Sequence, residues 1–131
     1  MTDQNKKKIL VVDDEMTVCK SIRQALLSDA YDVDMALSGE DALKKEDEKK
    51  YDVIIADLMM PSLSGMDLLK ALKGKNSRAK VIMITGYPTM KTTVQSMHIG
   101  AFDYLPKPFL PTELRDLVAR ALKDAAGEGK S

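Results

Sequence analysis

Three uninterrupted apolar runs constrain the fold of this chain more than any other feature. They occupy residues 9–12, 53–56 and 81–84. Strands without alternating polar residues are expected where helices cover both faces of a sheet. Amphipathic segments separate the runs, and strand and helix alternate five times along the chain. The sequence therefore predicts an α/β fold in which a parallel sheet lies between two layers of helices.

Two further predicted strands differ from these three because they are partly polar. Residues 31–36 alternate apolar side chains with Asp32 and Asp34, and residues 102–105 include Asp103. Half-polar strands are expected at the edges of a sheet. With right-handed crossovers, edge positions for the second and fifth strands give the order 2-1-3-4-5. This order resembles the flavodoxin-like (βα)5 fold, a three-layer sandwich around a five-stranded parallel sheet.

The expected elements alternate regularly, and their bounds follow from apolar periodicity and capping residues. The predicted strands lie near residues 9–12, 31–36, 53–57, 81–85 and 102–105. The predicted helices lie near residues 15–28, 38–48, 64–73, 89–98 and 111–124. We expect a disordered basic N-terminus over 1–7, one domain over 8–124, and a tail or the start of a linker over 125–131.

Two expectations concern the packing of these elements. The second helix has little beyond Ala42 and Leu43 to bury. Several methionines fall mostly at core spacing, and we expect them to fill gaps in the core. These are Met16, Met35, Met66, Met83, Met90 and Met97.

Composition limits the functions that the chain can have. Its 131 residues suffice for one domain, and its 20 basic and 20 acidic residues cancel, so no global field favours nucleic acid or an anionic membrane. No apolar stretch reaches the length of a membrane span, and no reading helix or basic face indicates direct nucleic-acid binding. One cysteine, Cys19, excludes an internal disulfide and suits a reducing compartment. We therefore predict a cytoplasmic protein without membrane contact.

Polar side chains with reactive groups follow the predicted strands at the points where these end. Asp13 and Asp14 follow the first strand, Asp57 ends the third, Thr85 ends the fourth, and Lys107 follows the fifth. The carboxyl ends of parallel strands meet at one edge, where open α/β sheets bind ligands. Taken singly, most of these residues are consistent with a helix cap or a solvated strand end. Their convergence is what predicts a site.

Together these side chains describe a site for a divalent cation and a phosphoryl group. Three crowded carboxylates repel each other unless a cation neutralises them, and oxygen ligands without histidine or thiolate favour Mg²⁺ or Mn²⁺. Asp57 is then a credible nucleophile that would form an aspartyl phosphate. The metal and Lys107 would offset charge on the transferring oxygens, and the Thr85 hydroxyl is placed to donate to one of them.

The ordered set of residues resembles the response regulator receiver domain of two-component signalling. The set comprises Asp13-Asp14 after the first strand, Asp57-Leu58-Met59-Met60-Pro61 with Gly65, Thr85, Tyr104 and Lys107-Pro108. Residues 86–109 are similar to the receivers of nitrogen-regulation-type transcriptional activators. Such a resemblance implies a phosphoprotein that switches a transcriptional output.

The resemblance also implies roles for residues around the acidic cluster. Asp57 would accept a phosphoryl group from the phosphohistidine of a sensor histidine kinase or a histidine phosphotransfer protein. Asp14, Asp57 and the carbonyl of Met59 would bind Mg²⁺, with Asp13 acting through water. Lys107 would pair with the phosphoryl group next to a cis peptide bond.

A switch is implied as well. The Thr85 side chain would move toward the phosphoryl group, and the Tyr104 ring would turn inward behind it. This movement would alter the surface formed by the fourth helix, the fifth strand and the fifth helix. We expect that surface to bind a partner or to form a phosphorylation-dependent homodimer.

Two positions are expected to control the dephosphorylation rate. Met59 lies two residues after Asp57, and Tyr87 lies two residues after Thr85. Both should flank the path of a hydrolytic water, and neither is a general acid or base at neutral pH. We therefore expect slow self-dephosphorylation. The chain would act on its own phosphoryl group only and would not be an enzyme in the usual sense.

Rival functions are less consistent with the sequence. A phosphatase with an aspartate nucleophile usually has a second acid two residues later, where this chain has Met59. A nucleotide-binding protein would need a glycine-rich phosphate loop after the first strand. A single-domain phosphorelay or scaffold protein with the same fold stays open. The sequence identifies neither the kinase and stimulus nor the output domain or target, nor whether the chain is full length or a fragment.

Overall fold

Five strands and five helices alternate in the computed structural model, which describes residues 6–128. The strands are β1 (Lys7–Val12), β2 (Tyr31–Ala36), β3 (Val53–Asp57), β4 (Lys80–Thr85) and β5 (Asp103–Pro106). The helices are α1 (Met16–Ala25), α2 (Gly39–Lys49), α3 (Gly65–Gly74), α4 (Met90–Ile99) and α5 (Pro111–Glu128). Every predicted element is present, and the expected α/β alternation is confirmed. Within the described part of the chain, no helix combines the length and hydropathy needed to span a bilayer.

The strands form one parallel sheet in the order β2-β1-β3-β4-β5, as predicted. The two half-polar strands are the edges of the sheet, as expected. Their residues are less buried than those of β3, which is buried throughout, and of β1 and β4, which are buried over most of their length. Val12 of β1 lies opposite Ala56 of β3, and Asp57 lies opposite Ile84 of β4. This register brings the carboxyl ends of the three central strands to the same level.

Successive residues of the central strands contribute to two apolar cores on opposite faces of the sheet. Leu10 and Val12 of β1 belong to the core covered by α2 and α3. Ile9 and Val11 belong to the core covered by α1 and α5, together with the buried Cys19. The two cores hold the sheet between its helical layers, and the loops at the carboxyl ends of the strands extend from this rigid centre.

The ends of the regular structure differ from the predicted bounds. β1 begins at Lys7, inside the predicted N-terminal segment, because the Lys7 N–H donates to the carbonyl of Ala30 at 2.9 Å and so extends the ladder. α5 continues to Glu128, past the predicted end at residue 124. Ala125 and Ala126 have high helix propensity and favour this extension. Residues 1–5 and 129–131, which make up the rest of the predicted terminal segments, lie outside the described residues.

Not all the methionines fill the core as expected. Met66 and Met83 are buried, whereas Met16 and Met97 are exposed and Met90 is 83% exposed. Met90 and Met97 lie on α4, which packs only a narrow face on the sheet. Apolar spacing along α4 therefore does not correspond to burial.

The buried carboxylate of Glu46 anchors α2 through hydrogen bonds to neighbouring segments. The sequence had indicated that α2 buries little beyond Ala42 and Leu43. Glu46 is 1% exposed. Its Oε1 accepts the backbone N–H of Tyr51 at 2.8 Å, and its Oε2 accepts the hydroxyl of Ser77 at 2.8 Å. Glu46 thus joins α2 both to the segment before β3 and to the segment between α3 and β4.

Replacing Glu46 with alanine should lower the free energy of unfolding by about 1–3 kcal/mol, because the buried N–H of Tyr51 and the part-buried hydroxyl of Ser77 lose their acceptor. The matched control is Glu48→Ala on the exposed side of the same helix. It should change that free energy by less than about 0.5 kcal/mol. Urea unfolding followed by circular dichroism measures both values. Equal changes in the free energy of unfolding for the two variants would show that the hydrogen bonds of Glu46 do not stabilise α2.

Candidate functional site

Three carboxylates converge where β1 and β3 end. Asp13, Asp14 and Asp57 each offer one oxygen, and these oxygens lie within 4.8 Å of one another. Asp13 is 2% exposed and Asp57 is 9% exposed, whereas Asp14 is open to solvent. The sheet imposes this proximity, since Asp57 is the last residue of β3 and the Asp13 N–H extends the pairing of β1 by donating to Ala36 O at 3.1 Å. The predicted acidic cluster is therefore formed, with one accessible side.

Lys107 reaches the same cluster from the loop after β5. Its Nζ lies 3.6 Å from Asp13 Oδ2 and 3.7 Å from Asp57 Oδ2. The Lys107 N–H donates to the carbonyl of Thr85 at 2.7 Å, and the peptide bond to Pro108 is cis, as the resemblance implied. One ammonium group therefore faces two buried carboxylates.

Backbone N–H groups orient the two buried carboxylates. Asp13 Oδ1 accepts the N–H of Glu15 at 2.9 Å, and Asp57 Oδ1 accepts the N–H of Met59 at 3.1 Å. Both bonds span two residues, which is the Asx-turn arrangement. Each carboxylate is thus held by its own loop through Oδ1 and presents Oδ2 to Lys107.

The pKa of Asp13 is raised from its ordinary 3.8 to about 6, chiefly because burial disfavours the charged carboxylate. The negative charge of Asp57 adds to this rise, while the bond from the Glu15 N–H and the charge of Lys107 oppose it. A divalent cation beside these oxygens would favour the ionised form and reverse the balance. A bound cation would therefore offset the cost of keeping Asp13 ionised.

Gly65 allows the first turn of α3 to pack directly against the end of β3. A Cβ atom at this position would overlap the carbonyl oxygen of Asp57 and would lie 2.8 Å from the Cα of Leu58. The Gly65 N–H donates to Leu58 O at 3.0 Å. A larger residue would displace the backbone that carries Asp57, which gives this glycine of the motif a physical role.

Thr85 ends β4 with its side chain fully buried. Its Oγ1 accepts the N–H of Tyr87 at 3.0 Å, so its own proton stays available for donation. Met59 and Tyr87 are 60% and 77% exposed. These two side chains lie at the ends of the turns that begin at Asp57 and Thr85.

Tyr104 of β5 is half-buried and packs against the core under α2 and α3. Tyr104 lies opposite Met83 of β4 in the sheet. Met83 and Thr85 are two residues apart on β4 and point to the same face, so Tyr104 and Thr85 also share that face. The Tyr104 hydroxyl lies 3.1 Å from Oγ1 of Thr92 on α4. Sequence reasoning missed Thr92, because no pattern distinguishes it from the neighbouring Thr89 and Thr93.

Comparison with known proteins agrees with this arrangement. A protein-family model described as the response regulator receiver domain matches residues 9–119. The chain belongs to the response regulator receiver domain family. It is 38% identical over 117 residues to the alkaline phosphatase synthesis transcriptional regulatory protein PhoP from Bacillus subtilis. That match covers 89% of this chain and 49% of the relative, so the chain spans about half the length of this curated relative.

Solved structures give the same family and fold. A CheY-like response regulator receiver domain protein from Methanospirillum hungatei has a TM-score of 0.88 and 29% identity, with 94% of this chain and 98% of that chain covered. NtrX from Brucella abortus has a TM-score of 0.86 and 26% identity, with 95% of this chain and 28% of that chain covered. The NtrX match agrees with the predicted similarity to nitrogen-regulation-type receivers.

Receiver domains bind Mg²⁺ at an acidic pocket, and the donors of this chain suit that ion. The cluster offers three carboxylates without imidazole or thiolate, which are the hard oxygen ligands that Mg²⁺ prefers. Asp14 is exposed, so water can reach that side of the cluster. Mg²⁺ usually keeps several water ligands. The residues present therefore fit the metal that the family binds.

In metal-free buffer the raised pKa of Asp13 should make stability depend on pH. Since its folded pKa lies above its unfolded pKa, Asp13 contributes stability below about pH 4 that is lost as the pH rises through about 6. The Asp13→Asn variant has no carboxylate to ionise at this position, so its stability should not fall in this way as the pH rises. Its side-chain oxygen can still accept the Glu15 N–H. Relative to the wild type, the variant should gain about 1–3 kcal/mol between about pH 4 and about pH 7.

Urea unfolding at several pH values in the presence of a chelator measures this gain. Asp14→Asn is the control, because it removes an exposed carboxylate of the same cluster. Its stability relative to the wild type should change by less than about 0.5 kcal/mol over that range. A relative stability of Asp13→Asn that does not vary with pH would contradict the account of a desolvated carboxylate.

Proposed function

We propose that this domain is the phosphoacceptor module of a two-component system and that Asp57 accepts the phosphoryl group. The observation that carries the proposal is the position of Asp57, held by the Met59 N–H on one oxygen and facing Lys107 with the other. Two further carboxylates lie beside it. This arrangement supports in-line attack on phosphorus in a cation-loaded pocket.

In the proposed reaction, a carboxylate oxygen of Asp57 attacks the phosphorus of a phosphohistidine. The new P–O bond forms as the P–N bond breaks, and the bond electrons leave with the donor imidazole. Bound Mg²⁺, or Mn²⁺, would supply positive charge to the phosphoryl oxygens, with Asp14, Asp57 and the carbonyl of Met59 as ligands and Asp13 acting through water. Lys107 is close enough to the Asp57 carboxylate to pair with the incoming phosphoryl group.

A protein donor is supported by the surface next to Lys107. An open groove there has mostly apolar walls and is lined by Val18, Ile22 and Ala25 of α1 and by Pro108 and Phe109. Receivers of response regulators are phosphorylated by sensor kinases. We propose that a sensor histidine kinase or a histidine phosphotransfer protein docks over this groove and presents its phosphohistidine to Asp57.

The output surface in this proposal consists of α4, β5 and α5. Phosphorylation would draw the Thr85 hydroxyl toward the new phosphoryl oxygens and allow the Tyr104 ring to move behind it. The exposed Met90, Val94 and Met97 of α4 give this surface an apolar character that supports a partner or homodimer contact. Relatives named as transcriptional regulatory proteins are about twice this length or more. We propose that this domain does not itself bind nucleic acid, because its 20 basic and 20 acidic residues cancel.

We place this function in the cytoplasm. Cys19 is a free and buried thiol, which is the usual state of cysteine in a reducing compartment.

Incubation with Mg²⁺ and acetyl phosphate should add one phosphoryl group to the protein, because the pocket rather than the donor activates Asp57. Intact mass spectrometry measures the addition. Asp57→Asn should abolish it, and Asp29→Asn, which removes an exposed carboxylate in the segment before β2, should leave it unchanged.

Other outcomes of this experiment would contradict the proposal. Release of free phosphate over many turnovers would indicate a phosphatase. No addition to the wild-type protein would indicate a scaffold with a receiver fold. Addition that persists in Asp57→Asn would place the acceptor elsewhere.

The lifetime of the phosphoryl group is proposed to depend on Met59 and Tyr87. Both side chains are bulky and exposed, and neither is a general acid or base at neutral pH. Met59→Asn and Tyr87→Glu should each accelerate loss of the phosphoryl group by about two- to tenfold, the effect of one well-placed hydrogen bond to water. The decay is followed by intact mass after removal of the phosphodonor. The control Met59→Leu keeps an apolar side chain, so it should lose its phosphoryl group at the wild-type rate. An unchanged rate in both Met59→Asn and Tyr87→Glu would rule out shielding.

A further inference from the structure

A chain of three hydroxyl groups joins β5 to the beginning of α4. Thr89 Oγ1 and Thr92 Oγ1 lie 2.9 Å apart, and Thr92 Oγ1 lies 3.1 Å from the hydroxyl oxygen of Tyr104. Thr89 is the N-cap residue of α4, Thr92 lies in its first turn, and Tyr104 belongs to β5. The side chain of a strand residue thus meets the polar cap of a helix.

Thr92 also completes the capping box of α4. The Thr92 N–H donates to Thr89 Oγ1 at 3.0 Å, and Thr92 Oγ1 accepts the N–H of Thr89 at 3.4 Å. A threonine hydroxyl can donate once and accept twice. With its proton directed to an oxygen of Thr89 and one acceptor site on the Thr89 N–H, the remaining acceptor site is available to the Tyr104 hydroxyl. One oxygen atom therefore serves both the helix cap and the tyrosine.

The start of α4 has few other contacts to hold it. Among the ten residues of α4, all of which the structure describes, only Ser96 is fully buried. Met90 and Val94 in its first turns are exposed. A segment with so little buried apolar surface depends on its polar bonds and opens easily. A bond between Tyr104 and Thr92 is therefore well placed to affect the order of this turn.

We propose that Thr92 is a positioning residue that couples the orientation of the Tyr104 ring to the first turn of α4. With the ring in its present place, the Tyr104 hydroxyl is hydrogen-bonded to Thr92 Oγ1 and supports the cap. When the ring leaves, Thr92 loses that bond and the first turn loosens. The role of Thr92 in signalling rests on the proposed function, because phosphorylation is what would move Tyr104, but the contact belongs to the unphosphorylated protein.

Thr93 provides a matched control in the same turn. Its Oγ1 donates to the carbonyl of Thr89 at 2.8 Å. Among the hydrogen bonds of the described residues, none joins Thr93 to Tyr104. Valine in place of threonine keeps the β-branched shape and removes only the hydroxyl. Thr92→Val and Thr93→Val thus differ in whether the lost hydroxyl contacts the tyrosine.

The first test measures the orientation of the Tyr104 ring in the unphosphorylated protein, from side-chain couplings in nuclear magnetic resonance. Thr92→Val should shift the rotamer equilibrium of Tyr104 by about two- to tenfold, as expected for loss of one hydrogen bond. Thr93→Val should leave it unchanged, and Thr92→Ser should restore it. Equal shifts in the two valine variants would overturn the proposal.

The second test runs in the opposite direction, from strand to helix. Tyr104→Phe should accelerate amide hydrogen exchange of Thr92 and Thr93 by about two- to tenfold, although the substituted side chain lies on β5. Adding Thr92→Val should give less than the product of the two single effects, because the two residues share one interaction. Unchanged exchange in Tyr104→Phe would overturn the coupling. No phosphodonor is used, so failure of Asp57 phosphorylation would leave both results interpretable.

Discussion

The burial of two carboxylates that the backbone holds close together is the constraint on which the site depends. The pairing of β1 with β3 fixes Asp13 near Asp57, and a backbone N–H holds each carboxylate in place. Lys107 brings one positive charge to two buried negative ones. The raised pKa of Asp13 reflects chiefly the burial of its carboxylate, to which the negative charge of Asp57 adds. In our proposal, a bound cation would favour the ionised carboxylates and would also prepare the pocket for a phosphoryl group.

The same sheet links the pocket to a distant surface. Thr85 and Tyr104 lie on one face of the sheet, on adjacent strands, and the Tyr104 hydroxyl extends the connection to Thr92 on α4. Because α4 buries little of its surface, each of its hydrogen bonds contributes a large part of its local stability. In our proposal, a local change of charge at Asp57 would therefore alter an exposed helix without rearranging the core.

Much of the fold and site could be predicted because it depends on patterns that extend along the sequence. Uninterrupted apolar runs identified the central strands, and parallel order then required Asp13, Asp57 and Lys107 to meet at one edge. Features that depend on a single side-chain contact between distant segments left no such pattern. The burial of Glu46 was not predicted, because it depends on donors from Tyr51 and Ser77, which lie outside α2. The exposure of Met90 and Met97 likewise could not be predicted, because it depends on how little of the α4 surface packs against the rest of the domain.

The most direct test of the central claim is the affinity of the unphosphorylated protein for Mg²⁺, measured by titration while the backbone amide resonances are followed. The account predicts one saturable site whose shifts are largest around Asp13, Asp14 and Asp57, with binding strongly weakened in Asp14→Asn and in Asp57→Asn. Shifts that do not saturate, or binding that survives both substitutions, would contradict it.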